Sequence, residues 1–192
     1  MVEVPEVGAF LLGAPKCGTT WLAEVLTQHP EICVSEPKEP NIVASHKGTF
    51  GRDESEPDWV AYSDCFNGEG LRIDCSVHAM ACPVAPLRVA NNWPNARLLI
   101  CLREPVSRTV SHWNMILDTK EDRENGADWS EFRSAWDDSR LSDDTLYGAA
   151  VARWLEHFER DSILLIEANR MRHDASMVLE EVCNHLSISS HS

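Results

Sequence analysis

Residues 8–22, GAFLLGAPKCGTTWL, constrain this chain more than any other stretch: an apolar run ends in a loop punctuated by glycine and proline and passes at once into an amphipathic helix. Phe10, Leu11 and Leu12 read as a buried strand, and Gly13, Ala14 and Pro15 as a tight exit from it. Gly18 lets the backbone come close to a ligand. Trp21, Leu22, Val25 and Leu26 then recur at helical spacing, so the first turn points unpaired N–H groups and the positive end of the helix dipole back into the loop. An anion belongs there. Lys16 adds a mobile cation, and the hydroxyls of Thr19 and Thr20 add donors suited to phosphate oxygens. Cys17, inside the same loop, reads as a small residue whose backbone serves the cradle.

Residues 97–115, RLLICLREPVSRTVSHWNM, repeat the strand, loop and helix order. Arg103 stands where the strand ends, Pro105 suits the first turn of a helix, and Ser111 follows about two turns in. A guanidinium offers a forked, charge-assisted contact to phosphate, and a hydroxyl offers one donor more. His112 neighbours Ser111 but is rotated from it by about 100° around the helix, which argues for a place away from the ligand.

Further strand-like runs lie at 31–35, 71–75 and 162–166, beside those at 9–13 and 97–102. The clearest helical patterns fall at 18–28, 104–117, 146–159 and 174–187, with Trp154 and Phe158 on an apolar face. Such alternation predicts an α/β fold with a mostly parallel sheet flanked by helices, and ligand sites outside the carboxyl ends of the strands. Residues 46–58 and 119–128 read as polar surface loops or flaps, the run from Glu121 to Glu124 included. At 192 residues the chain fits one domain spanning 1–192.

Seventeen basic against 31 acidic residues leave a net charge of −14, which excludes a generally basic surface for nucleic acid. An anionic ligand must then be held by a local cluster, since salt screens wider fields within about 10 Å. No run approaches the roughly 18 apolar residues of a membrane span, and the N-terminus has neither the basic start nor the apolar core of a secretory signal. Seven cysteines without metal-type C-x-x-C pairs fit a reduced compartment. The expectation is a cytoplasmic protein with no membrane or nucleic-acid partner and no metal site; its oligomeric state is not legible.

The first loop differs from the nucleotide triphosphatase pattern GxxxxGK[ST], because Lys16 precedes the second glycine and Gly18 is followed by threonines. The order P-K-C-G-T-T-W resembles instead the 5′-phosphosulfate loop of sulfotransferases that use 3′-phosphoadenosine 5′-phosphosulfate (PAPS). The second stretch, R-x-P-x-x-R-x-x-S-x-W, resembles their 3′-phosphate motif, with Arg103, Arg108, Ser111 and Trp113 at matching places. SEPKEPNIV at 35–43 is similar to the segment whose glutamate acts as base in carbohydrate-type members, here Glu39. RIDCSVHAMACP at 72–83 is similar to a segment usually written E-x-S-P-x-Y, with Asp74, Val77 and Ala79 in place of its glutamate, proline and tyrosine. Residues 146–171 resemble the late helix and strand, although the usual E-D-L reads Glu167, Ala168, Asn169.

The resemblance implies a three-layer sandwich like that of P-loop nucleotide triphosphatases, and metal-independent, in-line sulfuryl transfer from PAPS to a hydroxyl or amine of a small molecule or glycan. It implies that Pro15, Lys16, Cys17, Gly18, Thr19, Thr20, Trp21, Arg103 and Ser111 bind PAPS or its product 3′-phosphoadenosine 5′-phosphate (PAP). Lys16 and Glu39 are the implied catalytic pair, with His78 and His46 as alternative bases because an imidazole titrates near neutrality. Relatives continue beyond the position of Ile188 into a basic loop over the nucleotide, so a non-catalytic PAP-binding homologue is a second reading. A small nucleotide or nucleoside kinase is a third, disfavoured by the missing G-K-[ST].

Overall fold

The computed structural model describes residues 3–44, 56–124 and 126–190. Five strands, β1 (Ala9–Gly13), β2 (Ile32–Val34), β3 (Leu71–Asp74), β4 (Arg97–Leu102) and β5 (Ile163–Glu167), form one sheet in the order β2-β3-β1-β4-β5, with every pairing parallel. β1 is buried throughout, and Leu98, Leu99, Ile100 and Cys101 of β4 are wholly enclosed. That is why both strands read as continuous apolar runs: a central parallel strand is covered on both faces.

The helices are α1 (Thr19–Thr27), α2 (Trp59–Ser63), α3 (Ala85–Asn92), α4 (Pro105–Thr119), α5 (Glu121–Glu124), α6 (Phe132–Trp136), α7 (Ser139–Ser142), α8 (Tyr147–Leu155), α9 (Arg170–His173) and α10 (Ala175–Leu186). They flank the sheet and complete the α/β architecture expected from the sequence. α1 buries Leu22, Ala23 and Leu26, and Trp154 of α8 reaches the core, where its indole N–H donates to Met80 O at 3.2 Å. Phe158 is buried beside it, with ring centroids 5.9 Å apart.

Two expectations change. The segment 119–128, expected as a loop, carries the short helix α5, which follows a left-handed Lys120 at the end of α4. Most of the other flap, 46–58, lies outside the described residues, and so does His46. A second, smaller core of Ile116, Trp129, Ala135 and Leu141 ties α4 to α6 and α7, with Trp113 and Met115 packed against it.

β1 lies between β3 and β4, so chain connections leave it in both directions and a crevice opens at its carboxyl end. The loops after β1, β3, β4 and β5 all reach that edge.

Candidate active site

The loop after β1 is pinned before it can receive anything. Ala14 N donates to Cys101 O at 2.8 Å, and Met80 N donates to Leu12 O at 2.8 Å. Gly13 has φ +133°, and a Cβ on it would stand 2.4 Å from Val77 O, so only glycine fits beneath the loop. Lys16 and Gly18 both adopt positive φ, 66° and 86°. Gly18 is the N-cap of α1 and contributes no side chain, while the first intrahelical amide to be bonded is Leu22 N, which donates to Gly18 O at 3.1 Å. The preceding amides of that turn are open to an anion.

Arg103, at the end of β4, leans over this loop, with Nη1 donating to Lys16 O at 3.3 Å. Tyr147, at the start of α8, closes the triangle: its hydroxyl donates to Arg103 O at 2.9 Å and lies 3.7 Å from Cys17 Sγ. Cys17 is wholly buried, and burial pushes its thiol above the ordinary value, so it stays a neutral packing group.

Two cavities meet at this loop. One, of about 430 Å³, is lined by Lys16, Cys17, Gly18, Trp21, Arg103 and the segment Ala168, Asn169, Met171 and Arg172 after β5. The other, of about 260 Å³, is lined by Pro15, Lys16, Thr19, Thr20, Glu39, Asn41, Val77, His78, His112 and Met115. Lys16 alone belongs to both walls among the described residues.

Glu39 is carried by a loop tied to the end of β3. Ser35 Oγ accepts from Cys75 N and donates to Lys38 O, at 3.3 and 3.0 Å, and Asn41 N donates to Ser76 Oγ at 3.0 Å. Asp74, buried at the base of this junction, accepts from Ser76 N and from the Tyr62 hydroxyl, each at 2.7 Å. Burial raises its carboxyl above the usual range, opposed by those two donors. The Glu39 carboxylate pairs with its neighbour Lys38 at 2.6 Å, and both remain partly exposed. No group of three or more His, Cys, Asp or Glu among the described residues is gathered as for a metal ion.

Residues 8–192 match the family model of the sulfotransferase domain. The chain belongs to this sulfotransferase family. Among similar proteins, heparan sulfate glucosamine 3-O-sulfotransferase 5 of Mus musculus is 25% identical over 175 residues, 85% of this chain and 48% of its own length. The bifunctional heparan sulfate N-deacetylase/N-sulfotransferase 3 of Mus musculus is 24% identical over 195 residues, 94% of this chain and 22% of its own length. The chain thus spans about half the length, or less, of these curated relatives. A solved sulfotransferase from Alicyclobacillus acidocaldarius shares the fold with a TM-score of 0.82 and 24% identity, covering 98% of this chain and 84% of that one. A mouse sulfotransferase complexed with PAP has a TM-score of 0.68 and 18% identity over 99% of this chain and 61% of its own.

In this family member, most of the sequence-expected residues divide between the two walls. Cys17, Gly18, Trp21 and Arg103 line the larger cavity, Pro15, Thr19, Thr20 and Glu39 the smaller, and Lys16 both. His78 also reaches the smaller cavity. Ser111, half-buried on α4, is absent from both walls.

His112 reverses its expectation and lines the smaller cavity. The cause lies behind it, in Arg108. α4 buries Arg108, Thr109, His112 and Ile116 on one face, because Arg108 is fully enclosed and paired with Asp144 at 3.7 Å, while its Nη2 donates to Leu141 O at 2.7 Å. Arg108 is therefore an internal cation and belongs to neither wall. Trp113 packs at 5.3 Å from Phe132, and its indole N–H donates to Trp129 O at 2.7 Å, so it is a structural aromatic.

The segment Ala168–Arg172 escaped the residue-level reading. Its signal was its position directly after a strand whose carboxyl end faces the crevice. Glu167 accepts from Asn169 N and Arg170 N to turn the chain there, and Arg170 is held by Glu181 at 2.7 and 2.9 Å, leaving Arg172 to face the cavity.

Proposed function

We propose that this chain, acting as one domain, transfers a sulfuryl group from PAPS to a hydroxyl or amine of a small molecule or glycan. The position of Lys16 carries the reading: one cation stands in the wall between a basic cavity open to helix amides and a second cavity holding a carboxylate. A donor nucleotide in the first and an acceptor in the second would meet at its ammonium.

The residues present suit a phosphosulfate nucleotide. Gly18 holds φ 86°, a left-handed backbone that disfavours a Cβ, so the cradle suits a residue without one. Gly18 and Trp21 border the nucleotide in the larger cavity and Arg103 is assigned to its 3′-phosphate, whereas Thr19 and Thr20, expected at the 5′ end, line the smaller cavity and Ser111 lines neither. When bound, PAPS supplies a sulfuryl group on an anhydride whose phosphate side gains charge as that group departs. Lys16 Nζ meets this charge, and one such preorganised donor is typically worth about 3–4 kcal/mol. Glu39 takes the acceptor's proton, a contribution of roughly a hundredfold to ten-thousandfold. His78 is the other base candidate in that cavity.

The test compares melting with PAP, with ATP and magnesium, and without ligand. At about 100 times its dissociation constant a ligand adds about 2.7 kcal/mol. PAP should stabilise the protein and label should pass from radiolabelled PAPS to acceptor in the presence of a chelator. Stabilisation by ATP with magnesium alone would favour the kinase reading, and PAP binding without turnover the non-catalytic one.

A further inference from the structure

Behind the smaller cavity lies a buried polar cluster that the proposed chemistry leaves unused. Arg108 Nη1 stands 3.1 Å from His112 Nδ1, and the Asp144 carboxylate stands 3.7 Å from Arg108 and 3.8 Å from His112 Nδ1. A guanidinium has only donors to offer and keeps its charge, so Nδ1 is the acceptor and the neutral ring must carry its hydrogen on Nε2. Nε2 makes no hydrogen bond among the described residues, although the ring is almost fully buried and lines the cavity shared by Lys16, Glu39 and His78.

Burial first, and then the charges of Arg108, His78 and Lys16, lower the His112 pKa to about 3. The ring is neutral at every working pH. With its one lone pair engaged by Arg108, it cannot serve as a base.

We propose that His112 is a fixed N–H donor to an oxygen of the transferring sulfuryl group, held in its tautomer by Arg108 as a positioning residue. This rests on the sulfotransferase reading above. The alternative target, the acceptor hydroxyl, fits poorly, because a donor to the attacking oxygen would withdraw the electron pair that Glu39 is placed to free. An anionic sulfuryl oxygen between Lys16 and a ring backed by Arg108 gains from both. The chemistry is not changed in its balance; only the binding of one oxygen is.

PAP lacks the sulfuryl group, so the ratio of PAPS to PAP affinity reads the contact directly. By calorimetry without acceptor, His112→Phe should lose about tenfold or more in PAPS affinity with PAP affinity unchanged, the worth of a hydrogen bond to a charged group. His112→Gln, which keeps an amide N–H, should recover part of the loss. Equal weakening of both ligands, or of neither, overturns the proposal. Nitrogen-15 spectra of the unaltered protein give a second readout that needs no variant: the Nε2–H signal should shift with PAPS and not with PAP, and an identical shift with both also overturns it. Failure of the unaltered protein to bind PAP would instead overturn the functional reading itself.

Discussion

Two adjacent strands of the sheet, β1 and β4, each run into a loop bearing a cation and then into a helix, yet the two helix ends are not equivalent. α1 begins at Gly18, which has no side chain, and leaves its first amides open. α4 begins at Glu104, whose carboxylate accepts from Ser107 N at 2.7 Å and Val106 N at 2.9 Å. Those donors, Ser107 first, hold the Glu104 carboxyl below the usual carboxylate range. One helix leaves its positive end open, and the other has filled it with its own carboxylate. The second unit therefore offers the cavity a side chain, Arg103, and not an open helix terminus. Strand and helix pattern alone does not make an anion site; the residue at the cap decides it.

The comparison breaks most visibly at Lys16. Lys16→Ala should lower turnover by about 100-fold to 1,000-fold, measured with saturating PAPS, because it removes the donor between the two cavities. Arg103→Ala should weaken PAP by about tenfold to 100-fold in calorimetry, with the larger loss in affinity and the smaller in turnover. Gly18→Ala should cost about tenfold in PAP affinity, since the left-handed backbone there disfavours a Cβ by about 1–2 kcal/mol and Met171 must also shift. A gain in PAP affinity from Glu104→Ala would show that the freed end of α4 also meets the nucleotide, and would end the distinction.

On the inner face of α4 the sharper test is pH. His112 takes its proton near pH 6.5 in the unfolded chain and only near 3 in the fold, so the unfolded state binds it first as pH falls. The stability from this group is complete above about pH 6.5 and is lost progressively toward pH 3. The melting temperature of the unaltered protein should thus fall more steeply between pH 7 and pH 4 than that of His112→Gln. Equal slopes would mean that the ring is not held neutral. Smallest of all, Glu104→Ala should lower the melting temperature slightly, by loss of its cap, and leave PAP affinity unchanged.

All five strands and the four long helical patterns sit where periodicity predicts them, within a few residues at each end, because buried apolar runs and helical stripes are local features. The short helices α2, α6 and α7 have too few residues to show a period. Two of them start at aspartates that cap their own first amides, Asp58 for α2 and Asp138 for α7, a signal only a cap-by-cap reading would find. α3, which was not expected, has no side-chain cap and carries Pro86 in its first turn as a local start signal. In the site, Lys16 and the Gly18 to Thr20 turn follow directly from residue order. Ser111 and His112 show the opposite. Helical geometry separates them by about 100°, but nothing in α4 itself says which of the two turns inward.

What the chain's order of residues determined by itself is the cradle: a buried strand, an exit at Gly13, a cap without a side chain at Gly18 and a cation at Lys16. These are effects of backbone sterics and helix ends, which act over a few residues. Only the tertiary structure decided which face of α4 meets the cavity and what stands opposite Lys16. Asp144 and Leu141 draw Arg108 inside and so turn His112 into the wall of the smaller cavity, while Asp74 and Ser76 fix the loop that carries Glu39. Those partners lie far apart along the chain, and burial of a charge or a backbone amide selects its partner by proximity in space, which no local pattern encodes.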